Sequence, residues 1–151
     1  MCFSADGVVD GAAALLLVSP DYEKAHGLVQ RARIVATAKM GDCPTLMLNA
    51  LVPAALKVLA KADMTLEDID LFEINEALAV VSEKFMRDLK LDRGRVDVNG
   101  SSIALGHPIG ATGAVLIGTL LDELKRRDLK RGLVTICAAG GMAPTVIIEC
   151  V

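Results

Sequence analysis

At 151 residues the chain fits one domain with room for a real core, and its apolar fraction of 53% and mean hydropathy of +0.49 are high for a soluble domain. Only 3% is aromatic, so the core is aliphatic, as in sheets buried on both faces; the apolar excess also fits a surface meant for a partner. A formal charge of −3 with no basic tract and no zinc-ligand spacing excludes a nucleic-acid or zinc-site reading, and Cys2, Cys43, Cys137 and Cys150 form no C-x-x-C, which points to free thiols in a reducing, cytoplasmic setting.

In chain order, Gly11 to Val18 is a continuous apolar run expected to be a buried strand. Pro20 to His26 reads as a short helix stopped by Gly27, and Ala32 to Met40 as a second strand. A helix is expected from Val52 to Lys61, and Thr65 to Asp68 has the form of a capping box. Ile69 to Ile74 is a third strand. It leads into an amphipathic helix over Glu76 to Leu89, with Leu78, Val81, Phe85 and Leu89 on one stripe.

A short extended stretch, Val96 to Val98, follows. Val98 to Leu121 then carries no charged residue and is long enough to span a bilayer, but its five glycines and Pro108 fit a buried loop feeding a buried helix, Thr112 to Arg126. Strands are expected at Leu133 to Cys137 and Thr145 to Glu149, joined too closely for a parallel crossover and therefore forming an antiparallel edge hairpin. The fold class is α/β: a layered, mixed and mostly parallel sheet covered by helices. The N-terminus lacks a basic region, and Asp6 and Asp10 interrupt it early, which argues against a secretory signal.

Three segments carry the chemistry. His107 lies between Gly106 and Pro108, just before a helix start; it reads either as a proton acceptor for a thiol and donor to a carbonyl, or as a structural imidazole held by backbone carbonyls. Cys137 ends a strand and enters Ala138-Ala139-Gly140-Gly141, whose flexible backbone can offer the N–H of Ala139 or Gly140 to an oxyanion; the plain alternative is a small buried residue before a hairpin turn. Asn75 follows a strand and opens a helix, either as an N-cap or as a side chain holding a water or a substrate carbonyl. The Gly106 to Gly113 loop lacks the Gly-Lys-Ser/Thr ending of a nucleoside-triphosphate loop.

Jointly these segments resemble the thiolase family. Asn75-Glu76-Ala77-Leu78-Ala79 is similar to its N-E-A-F-A box, Gly106-His107-Pro108 to its G-H-P box, and Cys137-Ala138-Ala139-Gly140-Gly141 to its C-x-G-G-G box. Asn99-Gly100, Ala104-Leu105, Val52-Pro53-Ala54 and Asp10-Gly11-Ala12-Ala13-Ala14 extend the match over nearly the whole chain. The resemblance implies an acyl-CoA acyltransferase with a coenzyme A thioester as substrate and no bound cofactor or metal. It implies that His107 activates a nucleophilic cysteine and helps form an oxyanion hole, that Asn75 positions a water there, and that Cys137 is the acid/base for the α-carbon.

It also implies that residues 1–28 are the last strand and helix of a truncated N-terminal domain, and 29–151 the C-terminal domain. The family's nucleophile lies in an N-terminal half that these residues do not include, and Cys2 sits in no matching box. The expected partner is such a half, or a further copy in a homo-oligomer, and the reaction is thiolysis or Claisen condensation. The alternatives are a non-catalytic remnant or CoA-binding module, and a related condensing enzyme, which the lone second histidine, His26, supports poorly. Leu78 and Ala139 replace a Phe and a Gly of the boxes. Ala5, Asp6 and Gly7 fall where thiolases touch the pantetheine of CoA, and Asp6 stands where many carry a small residue or Ser, a carboxylate expected to weaken CoA binding.

Overall fold

Alternating apolar side chains on short strands force helices onto both faces of one sheet. The computed structural model describes residues 4–151; Cys2, singled out above, lies outside them. The elements run α1 (Pro20–His26), β1 (Ala32–Gly41), α2 (Leu51–Ala62), β2 (Leu71–Ile74), α3 (Ala79–Leu89), α4 (Ser102–Leu105), α5 (Thr112–Arg126), β3 (Arg131–Thr135) and β4 (Met142–Cys150). The sheet order is β1-β4-β3-β2, with β2 and β3 parallel and the other two pairings antiparallel.

The α/β class and mixed sheet are as expected, but two details differ. The parallel share is one pairing of the three, and the β3–β4 hairpin lies inside the sheet, because β4 pairs with β1 from Ala32↔Cys150 to Gly41↔Met142. Local spacing fixed that hairpin's direction but carried no sign of a partner strand about a hundred residues upstream. The outer edge of β1 is blunted by lysines: Nζ of Lys57 and of Lys61 each donate at 3.1 Å to the carbonyls of Lys39 and Thr37.

Successive side chains along the strands enter two cores in alternation. Phe72, Ile74, Leu133 and Ile147 face α2 and α3, with the Phe72 and Phe85 rings edge-on at 6.3 Å between centroids. Leu71, Val134 and Ile148 face α5, where Leu116, Leu120 and Leu124 close the second core. α5 leaves part of its sheet face uncovered, an open groove of about 610 Å³ lined by Ile117, Ile136 and Val146 among others.

The expected strand over Gly11–Val18 is absent. Those residues carry no secondary structure, and Leu16 and Leu17 are exposed, because no described strand lies alongside to take their hydrogen bonds. α3 also begins three residues later than expected. Leu78 is extended and bridges Ala5, and the Ala79 N–H donates to the Ser4 carbonyl at 2.9 Å, so the N-terminal segment sets where the helix starts. α1 and α5 match their expected bounds, with Ser19 capping α1 and Gly27 at φ +60° ending it.

Candidate active site

β2 delivers Asn75 one residue beyond its last paired position, and β3 delivers Cys137 two residues beyond its own. Parallel pairing carries both to the same end of the sheet, where α/β folds place their reactive groups. The Asn75 Nδ2 lies 3.8 Å from Cys137 Sγ, and that thiol in turn lies 4.0 Å from the Asn75 carbonyl. Asn75 is fully buried and is not an N-cap, since α3 starts four residues later with Leu78 in the cap position. Its Oδ1 accepts from Ser102 Oγ at 2.5 Å.

Burial pushes the Cys137 thiol above its ordinary value; the Asn75 amide opposes that shift, and the Asp6 carboxylate adds to it. The hairpin turn beyond Cys137 is closed by Ala138 N–H to the Met142 carbonyl at 2.8 Å, with Gly140 and Gly141 both at φ +80°. Ala139 and Gly140 sit exposed at its tip. A Cβ on Gly141 would come within 2.7 Å of the Asp42 carbonyl, so only glycine fits there.

His107 is held from two sides. Its N–H donates to the Gly7 carbonyl at 2.8 Å, and its ring Nδ1 lies 2.8 Å from Thr112 Oγ1. A hydroxyl can donate or accept, so the opposite Nε2 is available either as a lone pair for a thiol proton or as an N–H for a carbonyl oxygen. The ring is therefore not anchored on backbone carbonyls. No hydrogen bond among the described residues joins it to Cys137 or Asn75.

What joins the Asn75 and His107 segments is the strap of residues 4–8. Asp6 N–H donates to the Ala77 carbonyl at 3.3 Å, Ala5 bridges Leu78, and Val8 bridges His107. Gly106 (φ +89°) admits the strap, since a Cβ there would meet a Val9 methyl at 2.6 Å. Asp6 Oδ2 is buried without a partner, and Asp6 is the strap's charge beside Cys137.

Beneath the site sits an acidic cluster. Asp97 fastens the end of β2: its carboxylate accepts from Ile74 N–H at 2.7 Å and from Ser82 Oγ at 3.1 Å, and burial, with the Glu76 charge, raises it to about 7. Glu73, buried with Oε2 unpartnered, is raised to about 9 by burial and by Asp97, Glu76 and Glu123, so it is a neutral acid at pH 7. Glu123 is the exception. Hydrogen bonds from Arg126 and Asn99 hold it down at about 2.

Sequence reasoning missed Ser101, Ser102, Asp97 and Thr112. The only signal for the serines was polarity inside an uncharged buried stretch, since α4, one turn long, is too short for a periodicity to reveal.

The model for "Thiolase, C-terminal domain" matches residues 28–150, and the chain belongs to the thiolase family. It is 44% identical over 146 residues to the acetyl-CoA acetyltransferase of Paracoccus denitrificans, covering 97% of this chain and 37% of that protein. It is 45% identical over 145 residues to a steroid 3-ketoacyl-CoA thiolase of Mycobacterium tuberculosis, covering 96% of this chain and 36% of the other. The crystal structure of the Bacillus anthracis acetyl-CoA acetyltransferase superposes with a TM-score of 0.95 at 44% identity, over 98% of this chain and 38% of that one. The chain thus spans little more than a third of the relatives it matches. Among the described residues no helix is long and apolar enough to cross a membrane.

Proposed function

We propose that this chain supplies the C-terminal half of a thiolase active site, acting on acyl-CoA thioesters with an N-terminal half that brings the nucleophilic cysteine, in the cytoplasm. The observation that carries the reading is the buried Asn75–Cys137 contact at 3.8 Å, set where β2 and β3 end side by side. The exposed apolar residues Val8, Leu16, Leu17, Val29 and Ile109 and the open groove beside α5 support a large partner.

In this reading His107 Nε2 takes the proton of the nucleophilic thiol, and that thiolate attacks the 3-keto carbonyl of the substrate. The bond between the α- and β-carbons breaks. The electron pair left on the α-carbon collects the Cys137 proton, releasing acetyl-CoA and leaving an acyl thioester on the nucleophile. The Cys137 thiolate then takes the proton of incoming CoA, whose sulfur bonds to the acyl carbonyl carbon and displaces the nucleophilic cysteine, which leaves as a thiolate and recovers its proton from His107. The first oxyanion is met by His107 Nε2–H and a water on the second N–H of Asn75, and the other by the Ala139 and Gly140 amides, each such donor worth about 3–4 kcal/mol of barrier. Condensation is the same sequence reversed.

The test is capture of the tagged chain from extract of its native cell, with the co-purifying proteins identified by mass. The reading expects a thiolase N-terminal half with a reactive cysteine, and thiolysis of acetoacetyl-CoA by the recovered complex. Recovery of the chain alone, or with chaperones and without turnover, sinks it and leaves the non-catalytic remnant.

A further inference from the structure

A buried carboxamide has two chemically different ends, and which end faces a cysteine decides whether a thiolate there is stabilised or repelled. Asn75 is fully buried, and its side chain meets Cys137 Sγ on one side and Ser102 Oγ on the other. With the Ser102 hydroxyl donating to Oδ1, the N–H end is turned to the sulfur. The thiol form fits the same arrangement, because Cys137 can donate to the Asn75 main-chain carbonyl at 4.0 Å.

Ser102 is itself held firmly. It is buried in the single turn of α4, its carbonyl accepts from Gly106 N–H at 2.9 Å, and its neighbour Ser101 donates to the Ile74 carbonyl at 2.7 Å. That turn ends two residues before His107. The same element therefore sets the Asn75 amide and the entry to the histidine loop.

We propose that Ser102 is a positioning residue of this site: its hydroxyl fixes the Asn75 carboxamide so that the amide N–H is presented to the Cys137 sulfur. The inference rests on the reading of Cys137 as an acid/base that passes through a thiolate, but the coupling itself is a property of the folded chain. It is read on the thiol, so its failure is distinguishable from failure of the proposed catalysis.

Site-resolved alkylation of Cys137 with iodoacetamide, followed across pH by peptide mass spectrometry, measures the thiolate directly. Cys43 is the internal standard: it is exposed, remote from Ser102 in the hydrogen-bond network, and lowered by backbone N–H groups of Leu46 and Thr45. Ser102→Ala is expected to move the Cys137 midpoint up by about half to one pH unit, a three- to tenfold loss of thiolate at a fixed pH below it, with Cys43 unchanged.

Ser102→Thr and Ser102→Val add the same bulk and differ only in the hydroxyl, so they decide the matter even if the Ala variant folds poorly. A midpoint near wild type for Thr and raised for Val supports the proposal. Equal midpoints for Thr and Val overturn it, as does an Ala profile that superimposes on wild type.

Discussion

Gly140 and Gly141 stand side by side at φ +80°, and replacing each by alanine separates two costs that are usually confounded. An L residue forced into the left-handed region costs about 1–2 kcal/mol at either position. At Gly140 a Cβ meets nothing within 4 Å, so that conformational cost is the whole effect. At Gly141 the Cβ would lie 2.7 Å from the Asp42 carbonyl oxygen and 3.0 Å from that of Cys43, both backbone atoms that cannot rotate away. The turn must shift and strain the Asp42 N–H to Gly141 carbonyl hydrogen bond of 2.7 Å, adding about 1–3 kcal/mol. Gly141→Ala is therefore expected to lose about 2–5 kcal/mol and Gly140→Ala about 1–2 kcal/mol. At about 3 °C per kcal/mol for a chain of this length, Tm falls by about 6–15 °C against about 3–6 °C. Thermal denaturation of the two variants under one condition checks it. Equal losses would refute the claim that close backbone contact, rather than φ alone, reserves position 141 for glycine.

Two further outcomes follow from Glu73 and Asp6. Because the folded-state Glu73 is raised from its ordinary value to about 9, the folded chain keeps a proton that the unfolded chain gives up. Its contribution to stability is full below about pH 4.5 and drains away as pH rises towards 9, by up to about 1.4 kcal/mol per unit; urea titrations at pH 6 and 8 should show a fall for the wild type that Glu73→Gln flattens, and parallel falls would contradict the assignment. Asp6→Asn removes a charge that raises the Cys137 thiol, so the alkylation midpoint of Cys137 should drop while that of Cys43 stays; a midpoint unchanged or raised rules out Asp6 as a neighbour that matters.

Much of the fold was legible because its signals are local. Pro20 and Gly27 bracket α1, and the apolar start and charged end of α5 define its bounds, since helix-end signals and amphipathic spacing act within a few residues. What was not legible depends on distant partners. Gly11–Val18 has the composition of a strand but no strand beside it among the described residues, and β4 lies inside the sheet because β1 claims its free edge. The site divides in the same way. Asn75, His107 and Cys137 stand out by their placement beside strand ends and glycines, whereas Ser102, Thr112 and Asp97 are ordinary residues whose importance comes from what the fold places next to them.

The central claim is that Cys137 moves a proton at the α-carbon of a CoA thioester. Its most direct test is deuterium uptake into the methyl group of acetyl-CoA in heavy water, followed by mass spectrometry with the chain in its native assembly. The account predicts uptake that depends on the protein and is lost in Cys137→Ala, while the assembly and its fold persist. Uptake unchanged in Cys137→Ala, or absent from an intact assembly carrying the wild-type chain, would contradict it.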